Sequence, residues 1–123
     1  MGFPLTPTLV VSMYSMLRDC PPFRGWKLPE ADDIEFRTSR RKDAHGEHIE
    51  KTPPTRGARY TIMVSTEKNG HLNTILQSLA HEMVHLAQAI AKVPRRYEAH
   101  DNLDFVRRAR KVCRVFGWDW RAF

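Results

Sequence analysis

The spacing of apolar residues changes twice along this chain, and this change limits the fold more than any other feature. Three stretches carry apolar side chains at helical spacing, and two stretches between them alternate apolar and polar residues, as half-buried strands do. The predicted helices are 6–19, 74–92 and 102–116; the predicted strands are 33–39 and 59–66, with a weaker signal at 48–51. Because the strands are grouped between the helices, we expect an α+β domain with an N-terminal helix, a small antiparallel sheet of about three strands, and two C-terminal helices.

Capping residues mark the ends of the predicted helices. Thr6 is suited to cap the first helix, Asn73 or Thr74 the second, and Gly117 is suited to end the last. The helical spacing also predicts which side chains enter the core. These are Ile75, Leu76, Leu79, Met83, Leu86 and Ile90 on the second helix, and Leu103, Val106, Ala109, Cys113 and Phe116 on the last.

Length and composition favour one domain spanning residues 1–123. The chain has 123 residues, of which 41% are hydrophobic, and it carries 20 basic against 14 acidic side chains, a net charge of +6. Its apolar stretches are too short to span a membrane, and its N-terminus lacks the basic start of a secretory signal. We therefore expect a cytoplasmic monomer, or one in the host cytoplasm if the source is viral. Cys20 and Cys113 are expected to be free thiols.

The second predicted helix contains the pattern HExxH, as His81-Glu82-Met83-Val84-His85. Four residues along a helix return the direction to within about 40°, so His81 and His85 can reach one metal ion from the same face. Glu82 lies beside them, where its carboxylate can accept a proton without displacing either histidine. In a chain of this composition the pattern arises by chance about 2% of the time. The spacing therefore predicts a metal site with a general base.

A catalytic zinc ion usually has three protein ligands and one open position, so a third ligand is expected after the motif. His100 is the best candidate because imidazole is a preferred zinc ligand and this residue stands just before the last helix. Carboxylates also bind zinc, which leaves Glu98, Asp101 and Asp104 as alternatives.

The segments YTIMVSTE, HEMVHLAQ and AHDNLDFVRRARKVCRVFGWD resemble the SprT-like zinc metallopeptidases. The resemblance covers about residues 58–118, is strongest to small bacterial and phage members, and extends to the core of the Spartan-type proteases. It implies a minimal zincin-like domain in which His81, His85 and His100 bind one Zn²⁺ and Glu82 is catalytic. Where the family commonly has HGxxF, this chain has His100-Asp101 with Phe105 five positions on.

Together the motif and the resemblance predict a zinc metalloendopeptidase that hydrolyses peptide bonds through a metal-bound water activated by Glu82. Its partner would be a protein or peptide substrate, and strand 59–66 is a candidate to bind an extended substrate by strand addition.

Clusters of Arg and Lys support a second hypothesis, a basic nucleic-acid-binding module with a structural or vestigial metal site. These clusters are Arg37 with Arg40-Arg41-Lys42, Arg95-Arg96 and the helical set Arg107, Arg108, Lys111 and Arg114.

Overall fold

The computed structural model describes residues 6–39, 46–55, 58–65, 72–93 and 103–123. Over these ranges the α+β prediction is confirmed. The helices are α1 (Pro7–Arg18), α2 (Leu72–Ile90) and α3 (Leu103–Phe116), and the strands are β1 (Ile34–Ser39), β2 (Gly46–Thr55) and β3 (Ala58–Ser65). Two short 3-10 helices, Phe23–Trp26 and Ala31–Asp33, lie between α1 and β1.

The three strands form one mixed sheet in the order β1-β3-β2. β2 and β3 pair antiparallel, whereas β1 and β3 pair in parallel, with Ile34 opposite Tyr60 and Phe36 opposite Ile62. The prediction of a wholly antiparallel sheet is therefore wrong. Alternation of apolar residues shows which side chains share a face, but it does not show the direction of the neighbouring strand.

The position of β3 also overturns the predicted role of strand 59–66 in binding substrate. β3 lies in the middle of the sheet, with β1 bonded along one side and β2 along the other. Its main-chain N–H and C=O groups already pair with these neighbours, so an added peptide strand has no place beside it. Among the described strands, only the outer sides of β1 and β2 are edges.

The core lies between the sheet and the helices. α2 contacts α1, α3, β2 and β3, and α1 also contacts β1. At one of these contacts the rings of Tyr14 and Phe36 lie 5.2 Å apart. Burying α2 on several sides holds the HExxH segment on a rigid support. Its side chains Ile75, Leu79, Met83 and Leu86 are buried as predicted, and Leu76 and Ile90 are partly buried.

α3 turns part of the predicted face to the core, and Phe116 packs partly buried against the core as predicted. Ala109 and Cys113 are buried as expected, but Leu103 is 70% exposed, and Phe105 and Val112 are buried as well. Positions 105, 109, 112 and 113 form one helical stripe, which the predicted set around Leu103 and Val106 only partly matches. The buried stripe includes Phe105, which contacts His81 and His85 on α2.

Two of the three predicted caps agree with the structure. The Thr6 hydroxyl accepts a hydrogen bond from the Leu9 N–H at 3.2 Å, and Gly117 has a φ of +77° after α3. The third is wrong, because α2 already begins at Leu72 and therefore includes Asn73 and Thr74. Asn73 instead accepts a hydrogen bond from the Trp118 indole at 2.9 Å, which holds the segment after α3 against the start of α2.

Both cysteines are free thiols, with Cys113 buried and Cys20 partly buried. In the part of the chain that the structure describes, no helix has the length and apolar character needed to cross a membrane.

Candidate metal centre

His81 and His85 stand one turn apart on α2, with their ring centroids 5.0 Å apart. An imidazole that binds zinc through one nitrogen at about 2.0–2.1 Å has its centroid about 3.2 Å from the ion, so two rings at a tetrahedral angle have centroids about 5.2 Å apart. The observed separation matches this value. The separation is therefore compatible with a shared zinc ion, and it is equally that of an ordinary edge-to-face ring contact.

Each imidazole is held at its Nδ1 atom. His81 Nδ1 lies 3.1 Å from the main-chain oxygen of Phe123, and His85 Nδ1 lies 3.1 Å from the side-chain oxygen of Gln88. An oxygen acceptor at Nδ1 favours the ring form that carries its proton there, with the lone pair on Nε2. In that form Nε2 carries the lone pair with which an imidazole can bind a metal.

Aromatic rings form one wall of the site. The Phe105 ring lies 4.9 Å from His85, nearly parallel to it, and 5.1 Å from His81, while the Phe123 ring lies 5.4 Å from His81. These contacts restrict rotation of the imidazoles and keep water from one side of them. The wall comes from α3 and from the segment that follows it, so both help to fix the two histidines.

Glu82 is buried on α2, with only 6% of its surface exposed. It follows His81 directly and precedes His85 by three residues, so on α2 it points about 100° away from His81 and about 60° away from His85. A carboxylate that is shielded from bulk water beside a metal can take a proton from one substrate and return it to another. The role of Glu82 as general base stays a prediction.

The third zinc ligand lies outside the described residues if it is His100, Glu98 or Asp101. The remaining alternative, Asp104, lies in the first turn of α3. Its Oδ2 atom accepts hydrogen bonds from Gln88 at 2.9 Å and from Arg108 at 3.0 Å. Within residues 6–39, 46–55, 58–65, 72–93 and 103–123, no three His, Cys, Asp or Glu side chains are grouped as metal ligands. The described residues include two of the predicted ligands, His81 and His85.

Sequence reasoning did not assign roles in the site to Gln88, Arg108 or Trp26. Gln88 is completely buried, although it is polar, and it joins His85 to Asp104. The available signal is its position three residues after His85, because residues three apart on a helix are neighbours. Arg108 and Trp26 have no comparable signal, since their contact joins segments far apart in the chain.

Comparison with known proteins adds nothing to this geometry: no family model, curated protein or solved structure matches the chain. The resemblance to SprT-like peptidases therefore stays a prediction, and the case for function depends on the arrangement of the residues.

Proposed function

We propose that this protein is a zinc-dependent peptidase in which His81 and His85 bind the ion and Glu82 is the general base. The observation that carries the proposal is the pair of imidazoles 5.0 Å apart, each held at Nδ1 by an oxygen acceptor. The acceptors and the aromatic wall together hold both imidazoles in place, which supports a role for them as ligands. A cytoplasmic location and a monomeric state are parts of the same proposal.

Peptide hydrolysis requires a nucleophile, a polarised carbonyl and a proton donor for the leaving amine. Zinc, when bound, polarises the carbonyl and lowers the pKa of water toward 7. Glu82 accepts the proton that the attacking water loses and donates it to the leaving amine. Burial of Glu82 limits the contact of its carboxylate with bulk water.

His100 remains the proposed third ligand. Phe105 contacts both imidazoles and stands five residues after His100, so the connecting backbone spans at most about 18 Å. This reach is long enough for His100 to bind the same ion as the pair. Glu98 and Asp101 are the competing ligands, because they stand in the same connection.

The substrate in this proposal is an extended peptide segment. Because β3 is enclosed in the sheet, such a segment would have to pair with the outer side of β1 or β2. Main-chain hydrogen bonds contribute affinity that depends little on sequence, which suits a peptidase acting on unfolded or flexible protein.

The decisive experiment combines zinc analysis with cleavage of an unfolded protein such as casein. Wild-type protein is expected to hold about one zinc and to cleave, whereas Glu82→Gln is expected to hold the same zinc and to lose cleavage by at least about a hundredfold. His81→Ala is expected to lose both. Equal cleavage by wild type and Glu82→Gln would contradict the proposal.

A second candidate function, nucleic-acid binding, is favoured by the exposed face of α3. Arg107, Arg110, Lys111 and Arg114 are exposed there, and the Arg110 guanidinium lies 4.3 Å above the Trp120 ring. Cations next to an aromatic ring can contact both phosphates and bases. This function predicts DNA binding that weakens steeply with salt and is unchanged by Glu82→Gln, and salt-independent or absent binding would exclude it.

A further inference from the structure

A continuous line of hydrogen bonds runs from His85 to α3. His85 Nδ1 lies 3.1 Å from Gln88 Oε1, and Gln88 Nε2 donates to Asp104 Oδ2 at 2.9 Å. Arg108 Nε donates to the same Asp104 oxygen at 3.0 Å. The line therefore connects a proposed zinc ligand on α2 to a charged pair on α3.

The far end of this line is held in place by an aromatic ring. The Arg108 guanidinium lies 5.1 Å from the centroid of Trp26, and the Arg108 side chain is only 17% exposed. Cation–π contact of this kind fixes the guanidinium against Asp104 as well as against the ring. Arg108 is thus restrained from both sides.

The donors and acceptors along the line leave one arrangement of protons. Arginine only donates hydrogen bonds, and the carboxylate that pairs with it only accepts them. Asp104 must therefore face the NH₂ group of Gln88, which turns the Gln88 oxygen toward His85. A carbonyl oxygen accepts, so His85 Nδ1 carries a proton, and in the neutral imidazole the lone pair is then on Nε2.

We propose that Gln88, Asp104 and Arg108 are positioning residues that set the tautomer of His85, so that its Nε2 is ready to bind zinc before the metal arrives. This inference rests on the proposed function for its purpose, but the tautomer itself belongs to the metal-free protein. Arg108 sets the orientation of these hydrogen bonds because it can only donate. Asp104 therefore accepts from Arg108 and from the Gln88 NH₂ group, which turns the Gln88 oxygen toward His85.

Asp104→Asn isolates this effect because it keeps the size and shape of the side chain. An asparagine can present either its oxygen or its NH₂ group to Gln88, so the orientation of the Gln88 amide is no longer fixed, while the packing is unchanged. Arg108→Lys is the conservative partner, since lysine also only donates. Asp19→Asn is a matched control, which makes the same change at an exposed residue that follows α1.

Long-range ¹H–¹⁵N spectra of metal-free protein at pH 8 report the tautomer of each imidazole, and His85→Gln identifies the His85 signals. Wild type, Arg108→Lys and Asp19→Asn are expected to show His85 protonated at Nδ1. Asp104→Asn is expected to show a mixture of the two tautomers. A wild-type His85 protonated at Nε2, or an Asp104→Asn spectrum like that of wild type, would overturn the inference.

Competition with a chromophoric chelator measures the same effect on zinc itself. Gln88→Leu removes the acceptor from His85 and is expected to weaken zinc binding about 10- to 100-fold, with Asp104→Asn in the same direction and Asp19→Asn unchanged. Unchanged affinity in Gln88→Leu would count against the positioning role. If wild type binds no zinc, the proposed function fails, and the tautomer spectra still decide whether the line of hydrogen bonds sets the tautomer of His85.

Discussion

Phe105→Leu tests whether the aromatic wall prepares the two histidines for metal. Phe105 is 4% exposed and its ring contacts both imidazoles, at 5.1 and 4.9 Å. Leucine keeps an apolar side chain of similar volume at this position but removes the flat surface against which His81 and His85 pack. The variant therefore separates ordering of the imidazoles from burial of the core.

The expected size of the effect follows from these two contacts. Each aromatic pair contributes about 0.5–1.5 kcal/mol beyond burial, so the free energy of unfolding should fall by about 1–3 kcal/mol. Imidazoles that rotate in the free protein must be ordered on binding, at about 0.5–1.5 kcal/mol for each side chain. Two such side chains give about 1–3 kcal/mol, which corresponds to zinc binding about 5- to 150-fold weaker.

The assay is a zinc competition titration together with thermal unfolding of the metal-free protein. Phe36→Leu is the matched control, because Phe36 is also buried and makes one ring contact, with Tyr14 at 5.2 Å. Both variants should unfold at lower temperature, but only Phe105→Leu should bind zinc more weakly. A folded Phe105→Leu variant with wild-type zinc affinity would refute the role of the wall.

Three further predictions concern the third ligand, alkaline pH and one backbone conformation. His100→Ala should weaken zinc binding at least about tenfold in a chelator titration while Asp101→Asn leaves it unchanged, and the reverse order would make Asp101 the ligand. Burial, aided by the charge of Asp119, raises the pKa of the Cys113 thiol from 9.0 to about 11. The neutral thiol therefore contributes fully to the free energy of unfolding below about pH 9, and about 2–3 kcal/mol of that free energy is lost as the pH rises through 11. Denaturant unfolding should therefore show a smaller loss between pH 8 and pH 11 in Cys113→Ala than in wild type, and equal losses would contradict this. Lys92 has a φ of +58° after α2, so Lys92→Gly should raise the free energy of unfolding by about 0.5–1 kcal/mol in the same assay, and a decrease would contradict the strain.

The sequence predicts the elements better than their arrangement. The helical period of α2 is unambiguous, and its ends differ from the prediction by only two residues at each side. β2 is longer than its weak signal at 48–51, because pairing with β3 extends it where local preference is poor. The parallel pairing of β1 with β3 depends on which strands meet, and apolar spacing does not encode that.

Within the site, the residues on one helix were predictable and their supports on other elements were not. His81, Glu82 and His85 follow from spacing alone, because one helix fixes their relation. Phe105 supports the imidazoles because α3 packs against α2 with Phe105 on the contacting side. The apolar spacing of α3 does not show which of its residues meet α2. The buried position of Gln88 likewise depends on Asp104, since a buried amide needs partners for its polar atoms.

X-ray absorption at the zinc edge, measured on protein purified without chelators, tests the central claim most directly. The proposed site predicts about one zinc per chain, bound by imidazole nitrogens at about 2.0–2.1 Å, and loss of that signal when His81 and His85 are both replaced by alanine. Less than about one tenth of a zinc per chain, or a shell of sulphur at about 2.3 Å, would contradict it.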